Sequence, residues 1–171
     1  MKRKFAFAAL AMAAAMSLAA CSEPTIDTGD ASADTAAVSV SENAAEPSEI
    51  TAKLIADIEM SSLAEVQSDR IEMYLDVDLE KVDSFSMFIC GSGGFADEVG
   101  VFRMKSDADC EALKTLITER LDKRKVDFED YNPDEFEKLG KAVCGVSGNY
   151  VYYAVTPDSD KAESIIKEFI G

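Results

Sequence analysis

The chain has 171 residues, of which 33 are acidic and 17 are basic, and it contains neither histidine nor tryptophan. Its formal charge of −16 argues against nucleic-acid binding, because proteins neutralise phosphates with clustered lysines and arginines. The lack of histidine excludes Ser-His-Asp catalysis, Cys-His catalysis and histidine-ligated zinc within this chain.

Residues 1–20 have the layout of a secretory signal peptide. Three basic residues at positions 2–4 are followed by an apolar run, residues 5–20, that only Ser17 interrupts. This run is shorter than the roughly 20 residues that a membrane-spanning helix needs, and a polar stretch follows it at once. We therefore predict that residues 1–20 are a signal peptide and not a transmembrane helix.

The end of this run reads Leu18-Ala19-Ala20-Cys21, which resembles a bacterial lipobox. In lipoproteins with this motif the cysteine thiol receives a diacylglycerol, and cleavage occurs just before it. Two acyl chains satisfy the requirement for stable anchoring, at about 0.8 kcal/mol per buried CH₂ group. The resemblance implies a lipidated Cys21 and a location on the extracytoplasmic face of the cell membrane. The alternative is an ordinary secreted protein in which Cys21 has no special role.

Residues 21–49 are predicted to be an acidic, disordered linker. Positions 22–49 hold seven acidic residues and no basic or aromatic residue. Such a segment cannot bury enough apolar surface to offset the entropy lost on ordering. We also expect anionic headgroups to repel so acidic a chain, so that the lipid alone would attach the protein to the membrane.

Residues 50–171 are predicted to form the globular domain. A first helix is expected over 49–60 with Ser48 as its N-cap, and a weaker helical turn near 69–75. Residues 84–90 and 98–105 read as two strands, and the glycine-rich loop 91–94 between them indicates an antiparallel hairpin.

The second half of this domain repeats the pattern of a hairpin next to helices. The longest helix is predicted over 107–125, with basic residues in its last turn, and a short helix over 133–139. Strands over 141–146 and 150–156 flank a Ser-Gly-Asn turn. A last helix begins after a cap at Asp158 or Ser159.

This order of elements predicts an α+β domain. We expect an antiparallel four-stranded sheet built from two ββα units, with helices packed on one face. However, the strand that begins at Tyr150 is apolar or aromatic on both faces, whereas a sheet covered on one side should be polar on the other. Either the first helix covers the second face, or Tyr150, Tyr152 and Phe88 form an exposed aromatic patch that binds a partner or a second copy.

Three stretches carry a family resemblance: Ala-Asp-Glu-Val-Gly-Val-Phe-Arg at 96–103, Asp-Phe-Glu-Asp-Tyr-Asn-Pro at 127–133 and Gly-Asn-Tyr-Val at 148–151. With them, residues 50–171 resemble a domain of unknown function found in lipoproteins of Gram-positive bacteria, domain of unknown function 4358. The resemblance implies the same tethered, extracytoplasmic architecture. It supplies no catalytic or binding residue.

Three cysteines follow Cys21. Cys110 lies on the apolar stripe of its predicted helix, which favours a buried free thiol. A disulfide between Cys90 and Cys144 is an open alternative that an exported location would permit, provided that their strands are close. The spacing of the three matches no zinc motif.

Two further candidate sites have simpler explanations. The loop 91–94 could offer backbone N–H groups to an anion, but no Walker-type lysine follows it, and a plain hairpin loop is favoured. An acidic cluster could bind Ca²⁺ or supply a hydrolytic carboxylate pair, but it lacks the EF-hand pattern and is more typical of a solvated face. Its members are Asp127, Glu129, Asp130, Asp134 and Glu135.

The sequence therefore predicts a membrane-anchored extracytoplasmic lipoprotein whose domain binds or organises an unidentified protein or small molecule without catalysis. The predicted binding residues are Tyr150, Tyr152 and Phe88, and neither a cofactor nor a metal is expected. The alternatives are a carboxylate-dependent hydrolase of the cell envelope and a purely structural surface protein.

Overall fold

The structure is a computed structural model that describes residues 44–171. The predicted signal peptide, Cys21 and the linker up to residue 43 lie outside the described residues. Across the described part, no helix combines the length and the apolar character needed to cross a membrane. Its helices are α1 (Pro47–Asp57), α2 (Cys110–Glu129), α3 (Pro133–Gly140) and α4 (Ser159–Ile170), and its strands are β1 (Leu63–Glu65), β2 (Val82–Cys90), β3 (Glu98–Met104), β4 (Val143–Ser147) and β5 (Tyr150–Val155).

The domain is α+β, as predicted, but its antiparallel sheet has five strands and not four. The strands lie in the order β1-β2-β3-β5-β4. The additional strand, β1, has three residues and pairs with the end of β2, with Leu63 opposite Cys90. Three residues are too few to display an alternating pattern, so the sequence did not predict this strand. It forms by pairing with the free edge of β2.

Both predicted hairpins are present. β2 pairs with β3 and β4 pairs with β5, in each case antiparallel. Gly148 has a φ of +55°, a left-handed conformation that glycine adopts without steric cost, at the turn between β4 and β5. The side chain of Asn149 in the same turn donates a hydrogen bond of 2.8 Å to the carbonyl of Met104. The hairpins thus form where turn chemistry and alternation agree.

Two helices differ from their predicted bounds. α2 spans Cys110–Glu129 and not 107–125, because residues 107–109 form a 3₁₀ turn and Phe128 packs into the core with 5% of its surface exposed. The basic residues at 123–125 therefore do not lie in its last turn. α1 starts at Pro47 with Glu46 as N-cap, in place of the predicted Ser48, since proline suits a first helical position where no N–H partner is needed.

Ordered contacts begin before residue 50, the predicted start of the domain. The hydroxyl of Tyr150 donates to the carbonyl of Ala45 at 2.7 Å. Arg103 of β3 pairs with Glu46 at 2.9 Å and with Asp83 at 2.7 Å. These contacts fasten the start of α1 to the sheet.

Helices cover both faces of the sheet, so the expectation of helices on one face is wrong and the three-layer alternative describes the fold. On one face, residues of α2 pack against Phe102, Val151 and Tyr153. On the other, residues of α1 and α4 pack against Val99, Val101, Ala154 and Tyr150. The two apolar faces of β5 thus serve two separate cores.

Glycine at position 100 makes room for an aromatic ring in the middle of the sheet. Gly100 lies opposite Tyr153 of β5 in the β3–β5 register. A Cβ atom built on Gly100 would overlap Cε1 of the Tyr153 ring. The ring therefore lies across the bare backbone of β3.

We expect Gly100→Ala to lower the free energy of unfolding by about 1–3 kcal/mol, because the added methyl group displaces a fully buried ring. Urea denaturation followed by circular dichroism measures the change. Gly91→Ala is the matched control, since its Cβ would meet nothing within 4 Å. Equal effects of the two substitutions would contradict the packing argument.

Candidate functional site

A buried polar centre lies where β3 begins. Asp97 and Glu98 are 1% and 0% exposed, although both carry a carboxyl group. A buried carboxylate is costly unless charged or hydrogen-bonding partners compensate it. The side chains that supply these partners come from α2, α3 and β5.

Two arginines of α2 hold Glu98. Arg120 and Arg124 are four residues apart, so both guanidinium groups project from the same side of the helix. Nε of Arg120 donates to Oε1 of Glu98 at 2.8 Å, and its Nη2 donates to Oε2 at 3.0 Å. Arg124 contacts Oε2 through Nη1, which also donates to the carbonyl of Ala96 at 3.1 Å.

Tyr153 completes this group, which we call the Glu98 cluster (Glu98, Arg120, Arg124 and Tyr153). Its hydroxyl donates a hydrogen bond of 2.6 Å to Oε1 of Glu98. Burial, followed by the nearby charge of Glu98, raises the pKa of Tyr153 well above its usual value of 10. The cluster therefore places one carboxylate, two guanidinium groups and a neutral phenol together, with an excess of one positive charge.

A second buried group joins α3 to the same end of β3. Nζ of Lys138 lies 2.9 Å from Asp97 and 2.8 Å from Glu135. Glu135 accepts the backbone N–H of Ala96 at 2.7 Å, and Asp97 accepts that of Ser61 at 3.0 Å. Burial lowers the pKa of Lys138, but hydrogen bonds to the two carboxylates outweigh it and raise that pKa above its ordinary value.

The Glu98 cluster borders an open cleft of about 330 Å³, which we call the α2 cleft. Arg120 and Arg124 lie in its floor, and Nη1 of Arg120 donates to the carbonyl of Tyr74 at 2.9 Å. The Arg120 guanidinium also lies 5.4 Å from the centre of the Tyr74 ring. The residues that line the cleft are Tyr74, Leu75, Asp76, Leu116, Glu119, Arg120, Lys123, Arg124 and Asp127.

The three predicted binding residues lie on the opposite side of the sheet from this cleft. Tyr150, Tyr152 and Phe88 share one face, and all three pack in the core that α1 and α4 cover. Tyr150 is 7% exposed, and Tyr152 and Phe88 are half-buried. The structure thus brings the three side chains to one face, and that face is covered by helices.

Cys90, Cys110 and Cys144, the cysteines within residues 44–171, are free thiols. Cys110 is 1% exposed, as its place on the helix stripe predicted, and burial raises its pKa. Cys90 and Cys144 lie on β2 and β4, which two other strands separate. Three strand spacings amount to roughly 14 Å, too far for a disulfide.

The acidic cluster does not converge on one point. Glu135 is buried against Lys138, whereas Asp127, Glu129, Asp130 and Asp134 are exposed. Within residues 44–171 no group of three or more cysteines or carboxylates is arranged to hold a metal ion. The loop at 91–94 is a hairpin connection, and its Gly94 carbonyl accepts a hydrogen bond of 3.4 Å from Asn132.

Sequence reasoning missed the Glu98 cluster, although two local signals point to it. Glu98 begins a strand whose next residues are Val-Gly-Val-Phe, an unusual place for a charge. Arg120 and Arg124 lie beside the apolar stripe of α2 with a four-residue spacing. Neither signal says that the acid and the arginines meet, since 22 residues separate Glu98 from Arg120.

The raised pKa of Tyr153 predicts a loss of stability at high pH. Above pH 10 this tyrosine ionises in the unfolded chain but not in the folded one, so unfolding becomes more favourable as pH rises. Titration of tyrosinate absorbance at 295 nm should therefore find more tyrosine ionised in denaturant than in the folded protein at the same pH. Tyr153→Phe should reduce that difference, and Tyr131→Phe, an exposed control, should not.

Glu98→Gln should lower the free energy of unfolding by about 3–5 kcal/mol, because two half-buried guanidinium groups lose their carboxylate. Glu119→Gln, an exposed position on α2, is the control and should change little. Adding Arg124→Gln to Glu98→Gln should recover part of the loss, as a double-mutant cycle would measure. Purely additive effects would contradict the pairing.

Comparison with known proteins places this chain in a family. Residues 56–156, more than half of the chain, match the family model described as Domain of unknown function (DUF4358). The matched region contains the Glu98 cluster and every residue that lines the α2 cleft. No curated protein and no solved structure matches the chain. The protein belongs to the DUF4358 family.

Proposed function

We propose that this protein is a lipid-anchored lipoprotein on the extracytoplasmic face of the cell membrane, and that its domain binds a ligand or partner at the α2 cleft without catalysis. The anchor is supported by the signal-like residues 1–20 and by Cys21 at the end of a lipobox-like sequence. Membership of the family brings no activity with it.

The observation that carries the binding function is the α2 cleft. It combines a concave surface, the Tyr74 ring, apolar side chains and two half-buried guanidinium groups. Binding sites for small molecules typically join apolar walls to a few oriented polar groups in this way. The cleft replaces the aromatic patch of Tyr150, Tyr152 and Phe88 as the proposed recognition surface.

The place where the chain enters the domain supports the view that a ligand can reach this cleft when the protein is anchored. Ala44 and Ala45 pack in the core under α1 and α4. The α2 cleft lies on the other face of the sheet, beside the core that α2 covers. The chain therefore enters the domain on the face that α2 does not cover.

The buried carboxylates favour binding over hydrolysis. Glu98, Asp97 and Glu135 are each held by an arginine or a lysine. A hydrolytic pair needs one carboxyl group that keeps its proton and one that stays ionised, both within reach of the substrate. None of these three carboxylates lines the α2 cleft, so none is within reach of a molecule bound there.

We also propose that the domain is composed of two ββα units. β2 and β3 precede α2, and β4 and β5 precede α4, which supports such a composition. The two helices pack on opposite faces of the sheet, so the units would contribute one layer each.

Intact-mass analysis of protein from native membranes tests the anchor. We expect a chain that starts at residue 21 and carries the mass of a diacylglyceryl group. Cys21→Ser should abolish that mass and release the domain from the membrane, whereas Cys90→Ser should do neither. An unmodified Cys21 in native material would refute the anchor.

Capture from envelope extracts tests the cleft. Lys123 is exposed and lines the cleft, whereas Lys125 lies near the ring of Phe136 and does not line it. We expect the Lys123→Glu variant to lose the molecule that the wild-type protein captures, and the Lys125→Glu variant to retain it. Both substitutions change the net charge equally. Identical capture by both variants would remove the cleft from the proposal.

A further inference from the structure

The α2 cleft has positive charge in its floor and mainly negative charge at its rim. Arg120 and Arg124 are half-buried in the floor, where they share the single carboxylate of Glu98. The exposed rim carries one lysine and three acidic residues, which are Lys123, Asp76, Glu119 and Asp127.

The floor retains hydrogen-bonding capacity. An arginine has five N–H donors, and Arg120 uses Nε, Nη1 and Nη2 for one protein contact each. Nη1 of Arg124 donates to Glu98 and to the carbonyl of Ala96. Its Nη2 donates to the carbonyl of Phe95 at 3.4 Å. Within residues 44–171 its Nε has no acceptor, so both guanidinium groups can still donate to a ligand.

The rim acids have no cation of their own. Within the described part of the chain, Asp76, Glu119 and Asp127 form no ion pair with a lysine or arginine. A ligand with only negative charge would meet these three carboxylates on its way to the floor. A ligand with only positive charge would meet the two guanidinium groups. The arrangement suits a molecule that carries both signs.

We propose that the α2 cleft binds a small zwitterion of the amino-acid or short-peptide class. Its carboxylate receives the remaining N–H donors of Arg120 and Arg124, and its ammonium group lies among the rim carboxylates. A volume of about 330 Å³ is near the lower end of the range for small-molecule sites, so the ligand should be small. Leu75, Leu116 and the Tyr74 ring form apolar walls for a short side chain. This inference rests on the proposed binding function and specifies its ligand.

Four probes separate the contributions of the two charges. Isothermal titration calorimetry of residues 21–171 would compare the dipeptide Ala-Ala, its N-acetyl form, its C-terminal amide and inorganic phosphate. We expect saturable binding of Ala-Ala and at least tenfold weaker binding of either blocked form, because each lacks one charge. Phosphate should bind no better than the blocked forms.

Matched variants locate the ammonium site. Asp76→Asn, Glu119→Gln and Asp127→Asn together remove three charges from the rim and leave the Glu98 cluster intact. We expect this triple variant to lose at least tenfold in affinity for Ala-Ala. The control combines Asp122→Asn, Glu129→Gln and Asp130→Asn, which are exposed positions outside the cleft with the same total charge. It should bind as the wild type does.

Each other result has a definite meaning. Equal affinity for Ala-Ala and its N-acetyl form would overturn the zwitterion in favour of a plain anion. Equal affinity for the amide would overturn it in favour of a cation. If no probe binds while capture still depends on Lys123, the ligand class is wrong and the proposed binding function stands. If neither the probes nor the capture depend on the cleft, both proposals fail.

Discussion

The burial of Glu98 is the constraint on which the rest of this structure depends. A carboxylate with no exposed surface at the start of a central strand requires cations that reach it. Arg120 and Arg124 meet this requirement because the helix repeat places them on one side of α2. Since both arginines must reach one carboxylate, the cluster determines where α2 lies along the sheet and how it is rotated about its own axis.

The same requirement explains features at a distance from the charge itself. Tyr153 reaches Glu98 from the adjacent strand only because Gly100 has no side chain in the path of its ring. The preceding residue, Asp97, is held by Lys138, which fastens α3 to the same end of the sheet. Two consecutive acidic residues at the start of β3, Asp97 just before the strand and Glu98 within it, therefore fasten two different helices.

The α2 cleft is a consequence of this arrangement. The guanidinium groups that neutralise Glu98 reach the sheet across the side of α2, and their outer N–H groups remain at the surface beside Tyr74. The arginine side chains are already held by protein groups, so the proposed site would be preorganised for a ligand. The opposite face of the sheet is covered by α1 and α4 and serves stability. Under the proposed function, one face of the sheet would serve packing and the other recognition.

The sequence alone determined the elements whose causes are local. Both hairpins, the helices after Asp109, Asn132 and Asp158, and the buried state of Cys110 follow from side-chain periodicity and turn chemistry, which depend on neighbours a few residues away. The signal peptide and the lipidation of Cys21 stay predictions from the sequence, because they lie outside the described residues. Only the tertiary structure decided the presence of β1, the second helical layer over Tyr150, the separation of Cys90 from Cys144 and the union of Glu98 with Arg120 and Arg124. Each of these depends on which strands become neighbours and which helix covers which face. Contacts between residues far apart in the chain decide this, and the periodicity of side chains along the sequence does not predict such contacts.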